Sequence, residues 1–156
     1  MKHIVNNTFL ICTLLTALGV CATPASARGV APFSGSKPQN FADSACFTEF
    51  GAGGIVNNCS GERLIHIATP VDTHGNVWGY ATVYGATSDN AVSCQMFGID
   101  PNSLYSYWAS PRVYPSQYGS LQGITMGGAY VPDLGAAYMA CWLNQGGVLR
   151  SVSWGQ

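Results

Sequence analysis

Charge is what this sequence has least of. Asp, Glu, Lys and Arg make up 8% of its 156 residues, against about 25% in an average domain. A surface so sparsely ionised cannot gain affinity from counterion release, so nucleic acid and anionic lipid are excluded as partners. Solubility has to rest on Ser, Thr, Asn, Gln and Gly, which make a neutral, hydrogen-bonding surface. Long apolar runs are missing too. Phe9 to Ala22 comes nearest, and it falls short of the roughly 20 residues a membrane span needs. Outside that run no stretch holds an apolar period of about 3.6 residues, and Gly and Pro recur too often for long helices.

Reactive motifs are equally scarce. No two cysteines stand at the spacing of zinc ligands. There is no Gly-x-Ser-x-Gly elbow, no Gly-rich loop opening a helix onto a phosphate and no dense acidic loop for calcium. Asp72, Asp89, Asp100 and Asp133 sit in turn contexts, where short carboxylates bond nearby backbone amides. Glu49 and Glu62 flank the first cysteine loop and are the acids least explained. His74 lies in a turn beside Asp72, and His66 lies within a strand-like run. The expectation is a chain with no catalytic residue, no metal and no cofactor.

The N-terminus reads as an address. Lys2 gives a positive start, Phe9 to Ala22 an apolar middle, and Ala25-Ser26-Ala27 a small-residue cleavage site. Residues 1–27 are expected to be a signal peptide cut after Ala27, placing the rest outside the cytoplasm, secreted or periplasmic. A lipoprotein signal ending at Cys21 fits poorly, because Val20 stands where a small residue is needed. Cleavage leaves 129 residues carrying five basic and seven acidic side chains, a formal net charge of −2. That is one domain in size.

Four cysteines follow the signal: Cys46, Cys59, Cys94 and Cys141. An even number in an oxidising compartment implies two disulfides. Three pairings are possible. Cys46–Cys59 and Cys94–Cys141 are favoured, because the first pair brackets the Gly-rich "FTEFGAGGIVNN" and the second sits in two strand-like runs. The second bridge is expected to tie distant strands across a core, as in immunoglobulin-like sandwiches.

Residues 28–45, rich in Gly, Pro, Ser and Ala, read as an extended leader, and 46–156 as a single β domain. Short alternating segments follow one another between turn clusters: "RLIHIAT", "VWGYATVYGA", "AVSCQMFGI", "QGITMGGAYV", "AAYMACWL" and "VLRSVSW". Eight or so strands and two staples predict an all-β antiparallel sandwich of Greek-key or jelly-roll type, with a small β-barrel as the alternative. In "VWGYATVYGA", Val77, Gly79, Ala81 and Val83 share one face and Trp78, Tyr80, Thr82 and Tyr84 the other. Burying the rings removes more apolar area from water, so the ring face is expected inside. Were it outside, Trp78, Tyr80 and Tyr84 would form an aromatic strip.

The leading "ACFT", the "YW.S....YPS.YGS" pattern over 107–120, "GAYVP" and the "CWL" strand together resemble a group of small exported proteins of environmental Gram-negative bacteria. The resemblance spans most of the chain after the signal. It implies an exported bacterial protein; it implies no activity and carries over no site residue.

What remains is "LYSYWASPRVYPSQYG", four tyrosines and a tryptophan around two prolines. Tyr105, Tyr107, Trp108, Arg112, Tyr114 and Tyr118 are the candidate binding residues. Flat rings present apolar faces to the C–H faces of sugars, while Ser, Asn and Gln bond hydroxyls. The same rings could fill the edge of a thin core. The function expected is therefore a non-enzymatic binding module for a neutral glycan or a cell-surface partner. A self-associating structural protein of the envelope or matrix and a secreted hydrolase are the alternatives.

Overall fold

The computed structural model describes residues 28–104 and 107–156; the expected signal peptide lies outside the described residues. Among the described residues, eleven strands form two antiparallel sheets packed face to face. They are β1 (Arg28–Val30), β2 (Ser36–Pro38), β3 (Phe47–Phe50), β4 (Gly54–Asn57), β5 (Arg63–Ala68), β6 (Gly75–Tyr84), β7 (Val92–Ile99), β8 (Tyr107–Ala109), β9 (Gln122–Val131), β10 (Ala136–Leu143) and β11 (Val148–Gly155). One sheet runs β3-β4-β11-β6-β9, with β1 also on β11; the other runs β2-β5-β10-β7-β8. The eight strands from β4 to β11 divide between the sheets as β4-β11-β6-β9 and β5-β10-β7-β8, the winding of a jelly roll. The sheets stay separate, so the barrel alternative does not form.

The inner faces meet in one core. Ile65, Ile67, Met96, Met139 and Leu143 come from one side; Val77, Ala81, Val83, Ile124, Met126 and Leu149 come from the other. Each fully buried aliphatic side chain contributes roughly 1.5–3 kcal/mol. Here the sequence expectation for β6 is reversed. Its small residues face in, and Trp78, Tyr80 and Tyr84 face out. The reason lies across the core: a Cβ on Gly79 would stand 2.7 Å from Met96 Sδ and 2.8 Å from Met139 Cε. Two methionines of the opposite sheet already fill the space a ring would need.

Both favoured disulfides form. Contrary to the immunoglobulin analogy, Cys94–Cys141 does not cross the core; it joins directly opposite residues of the adjacent strands β7 and β10. Both cysteines point inward and are fully buried. Cys46–Cys59 pins the strands β3 and β4 to the following turn. Asn57, also buried, holds that turn by donating to Gly61 O and Leu143 O, both at 2.9 Å, and accepting from Cys59 N at 3.0 Å. The segment read as a leader is bound to both sheets: β1 pairs with β11 and β2 with β5. A single helical turn (Pro32–Gly35) links them.

Candidate functional site

The pleat of the five-stranded sheet follows from the buried disulfide. With Cys94 and Cys141 inward, Ser93, Gln95 and Phe97 of β7 and Tyr138, Ala140 and Trp142 of β10 face out. Leu64 and His66 of β5 do the same, opposite Trp142 and Ala140. On β8, Tyr107 faces outward beside Ile99. Pairing places one ring from each of four successive strands in a single row. His66 meets Tyr138 edge-on at 5.1 Å, Tyr138 stacks on Phe97 at 4.8 Å, and Phe97 meets Tyr107 at 5.7 Å.

A second cluster stands further along the same face. The Arg112 guanidinium lies 4.3 Å over the Trp142 ring and 5.1 Å from the Tyr114 ring. Its Nε donates to Ser93 Oγ at 2.6 Å, and its Nη2 pairs with Glu62. Ring faces, hydroxyl and carboxylate fix the cation on four sides, so its charge is balanced in place. Between the clusters lie Ala140 and Gln95, whose Nε2 donates to Ser110 O at 2.6 Å.

The ring row is uncharged near neutral pH. Burial lowers the His66 pKa from the ordinary histidine value. Burial, and then the neighbouring Tyr107, raises that of Tyr138. The face therefore offers ring surfaces, amide and phenol groups, one neutralised cation and, at its β2 edge, the exposed Lys37 opposite His66. It suits a ligand with apolar C–H faces and many hydroxyls.

The residues singled out in "LYSYWASPRVYPSQYG" are divided by the fold. The segment is an edge strand more than a loop. After β8, Ser110 N donates to Met96 O, and Val113 and Cys94 exchange backbone bonds at 2.9 and 3.1 Å. Tyr107 faces outward with β8; the pairing then slips by one residue before the Cys94–Val113 bridge, so Val113 turns toward the core and Arg112 and Tyr114 face outward. Trp108 goes the other way, toward the seam between the sheets, where it meets Tyr130 of β9 edge-on at 5.6 Å. Tyr118 is exposed beside the end of β6, where Gly119 N donates to Gly85 O. Tyr105 lies outside the described residues. Composition alone misses His66, Phe97, Tyr138 and Trp142, which arrive singly from separate strands. The signal that could have found them is the inward phase of Cys94 and Cys141.

The isolated acids have structural partners. Glu49 accepts from Gly53 N at 3.0 Å, Glu62 pairs with Arg112, and Asp72 pairs with Arg28. His74 Nδ1 lies 2.6 Å from Asp133 Oδ1, and both side chains are exposed. Among the described residues no cluster of three or more His, Cys, Asp or Glu is placed to hold a metal ion. Among them, no helix is long and apolar enough to cross a membrane.

No protein-family model matches the sequence, and no curated protein matches it. Solved structures do match in fold. The chain is similar to the C-terminal CBM6 of LamC, a marine laminarinase from Zobellia galactanivorans, at a TM-score of 0.53 and 10% identity, covering 84% of this chain and 100% of that one. It is also similar to a Podospora anserina GH26-CBM35 β-(1,4)-mannanase, at a TM-score of 0.52 and 12% identity, covering 85% of this chain and 28% of that one. At these identities the likeness is one of fold: a β-sandwich of the carbohydrate-binding-module type.

Proposed function

We propose that this chain is a non-enzymatic, exported bacterial module that binds a neutral glycan on the outer face of its five-stranded sheet. The observation that carries the reading is the row of four rings, one per strand, on a face where Arg112 is already paired and the other cation, the exposed Lys37, stands at the β2 edge opposite His66. Tyr107 is 64% exposed, so the row is open at its β8 end. Trp142, Arg112 and Tyr114 extend the surface along β10. The fold neighbours support this reading, since one is a CBM6 module and the other contains a CBM35 module; fold alone does not carry function.

Affinity electrophoresis through gels containing laminarin, galactomannan or hydroxyethyl-cellulose tests it. At least one polysaccharide retards the wild-type chain, and the Tyr107→Ala/Trp142→Ala variant binds tenfold or more weakly at a nearly unchanged Tm. Free migration through all three gels contradicts the reading. Concentration-dependent light scattering without glycan would favour the self-associating structural protein instead.

A further inference from the structure

The opposite side of the sandwich carries rings that the proposed site does not use. β6 is an inner strand of the six-stranded sheet, between β11 and the edge strand β9. Trp78, Tyr80 and Tyr84 leave its outer side in file, spanning six residues, or about 20 Å at strand rise. The neighbouring strands make room for them. Trp78 lies across Gly155, where a Cβ would stand 2.5 Å from its Cζ2. Tyr80 lies across Gly123, where a Cβ would collide with the phenol. Tyr80 remains 39% exposed.

The flanks of this strip are hydroxyls. Tyr80 has Ser153 and Thr125 as its cross-strand partners, and Thr82 has Ser151 and Gly123. None of these partners is charged. On the β11 side the face continues into a groove of about 540 Å³ whose walls include Gly29, Ala31, Ala52, Arg150 and Ser151. The groove exists because β1 and β4 pair with separate halves of β11. Between those halves the bulge at Arg150 interrupts the register, and Arg150 Nη1 donates to Ala52 O at 2.7 Å.

We infer that this strip and groove form a second glycan-binding site, for a neutral polysaccharide chain lying along β6, and that the module is therefore bivalent. The inference rests on the proposed glycan reading and extends it to the other face. A file of rings in glycine seats, bordered by serine and threonine, matches a polymer with apolar ring faces and hydroxyl edges. Its length suits a chain and exceeds a single sugar. The flanks of the strip carry no charge and suit an uncharged partner; the groove wall adds one cation, Arg150, which donates to Ala52 O. Two sites on opposite faces cannot grip one short saccharide together, so a bivalent module joins separate chains.

Beads coated separately with laminarin, galactomannan or hydroxyethyl-cellulose provide the test. Wild-type protein agglutinates the beads that retain it. Trp78→Ala/Tyr80→Ala stays bound to those beads through the other face but no longer agglutinates them. Thr125→Arg, which leaves every ring in place and alters an exposed position, also abolishes agglutination. Tyr107→Ala/Trp142→Ala, held by the strip alone, behaves likewise. Retention of the wild type without agglutination overturns bivalence and leaves the first site standing. So does agglutination unaffected by both strip variants. Light scattering that shows the free protein to be a dimer overturns it as well, because self-association then explains the cross-linking. No retention on any bead removes the glycan reading itself, and bivalence with it.

Discussion

Phe97 and Tyr138 stand directly opposite each other on β7 and β10, with their rings 4.8 Å apart and 5° from parallel. An aromatic pair of this kind is worth about 0.5–1.5 kcal/mol beyond its buried area. It is the rigid middle of the ring row, with His66 at one end and Tyr107 at the other. Phe97→Leu is expected to keep the fold, lower stability by about 1 kcal/mol, and weaken glycan retention severalfold as Tyr107 and Tyr138 lose their support. Thermal melts and affinity gels on the same sample check both parts.

Trp108 and Tyr107 are neighbours that face opposite ways. Trp108→Ala opens the seam at Tyr130 and is expected to cost about 2 kcal/mol, below a full core truncation because the indole is 40% exposed. Tyr107→Ala is expected to stay within about 0.5 kcal/mol of wild type. Glycan retention should follow the reverse order, with Tyr107→Ala the weaker binder. Denaturant melts and affinity gels of the two variants separate the roles.

The inner face of β6 is small because Met96 and Met139 occupy the space opposite. Gly79→Val is therefore expected to destabilise by about 1–3 kcal/mol through overpacking. A denaturant melt that is unchanged would mean the two sheets can part there at little cost.

The covalent frame should show two bridges and no free thiol among Cys46, Cys59, Cys94 and Cys141 by intact mass with thiol alkylation. In the loop-entropy treatment, opening Cys94–Cys141, with a sequence separation of 47, costs about 4 kcal/mol. Opening Cys46–Cys59, with a separation of 13, costs about 3 kcal/mol. Paired Cys→Ala variants should rank in that order in Tm.

Burial lowers the His66 pKa, so the unfolded chain takes up this proton first as the pH falls. The stability that neutral His66 contributes is complete above the ordinary histidine value of about 6.5. It is lost as the pH drops from there to the lower folded value. Its cross-strand partners, Lys37 and Ala140, offer no negative charge to offset protonation. Stability against pH should slope downward through that window, and His66→Gln should flatten the slope.

The fold class was legible because turn residues punctuate the sequence at strand-length intervals. The disulfide pairing was legible from the Gly-rich loop and the two strand-like runs that hold the cysteines. Which face of β6 turns inward was not. Alternation defines two faces, and the choice between them depended on Met96 and Met139, which reach the site only through sheet packing. The ring row was hidden for a similar reason: residues 66, 97, 107 and 138 become neighbours only through strand register. Ser36–Pro38 and Arg28–Val30 read as part of an extended leader because three-residue strands carry no period of their own; their pairing with β5 and β11 defines them.

A neutral glycan bound as proposed settles on the outer face of the five-stranded sheet, over Trp142. Nitrogen-labelled protein titrated with laminarin, galactomannan and hydroxyethyl-cellulose oligosaccharides tests this placement most directly through the indole N–H signals. The signal of Trp142, on that face, should shift saturably with at least one of them. That of Trp154, buried and donating to Pro70 O at 2.8 Å, should stay fixed. A Trp142 signal that does not move at millimolar concentrations of every oligosaccharide would contradict it.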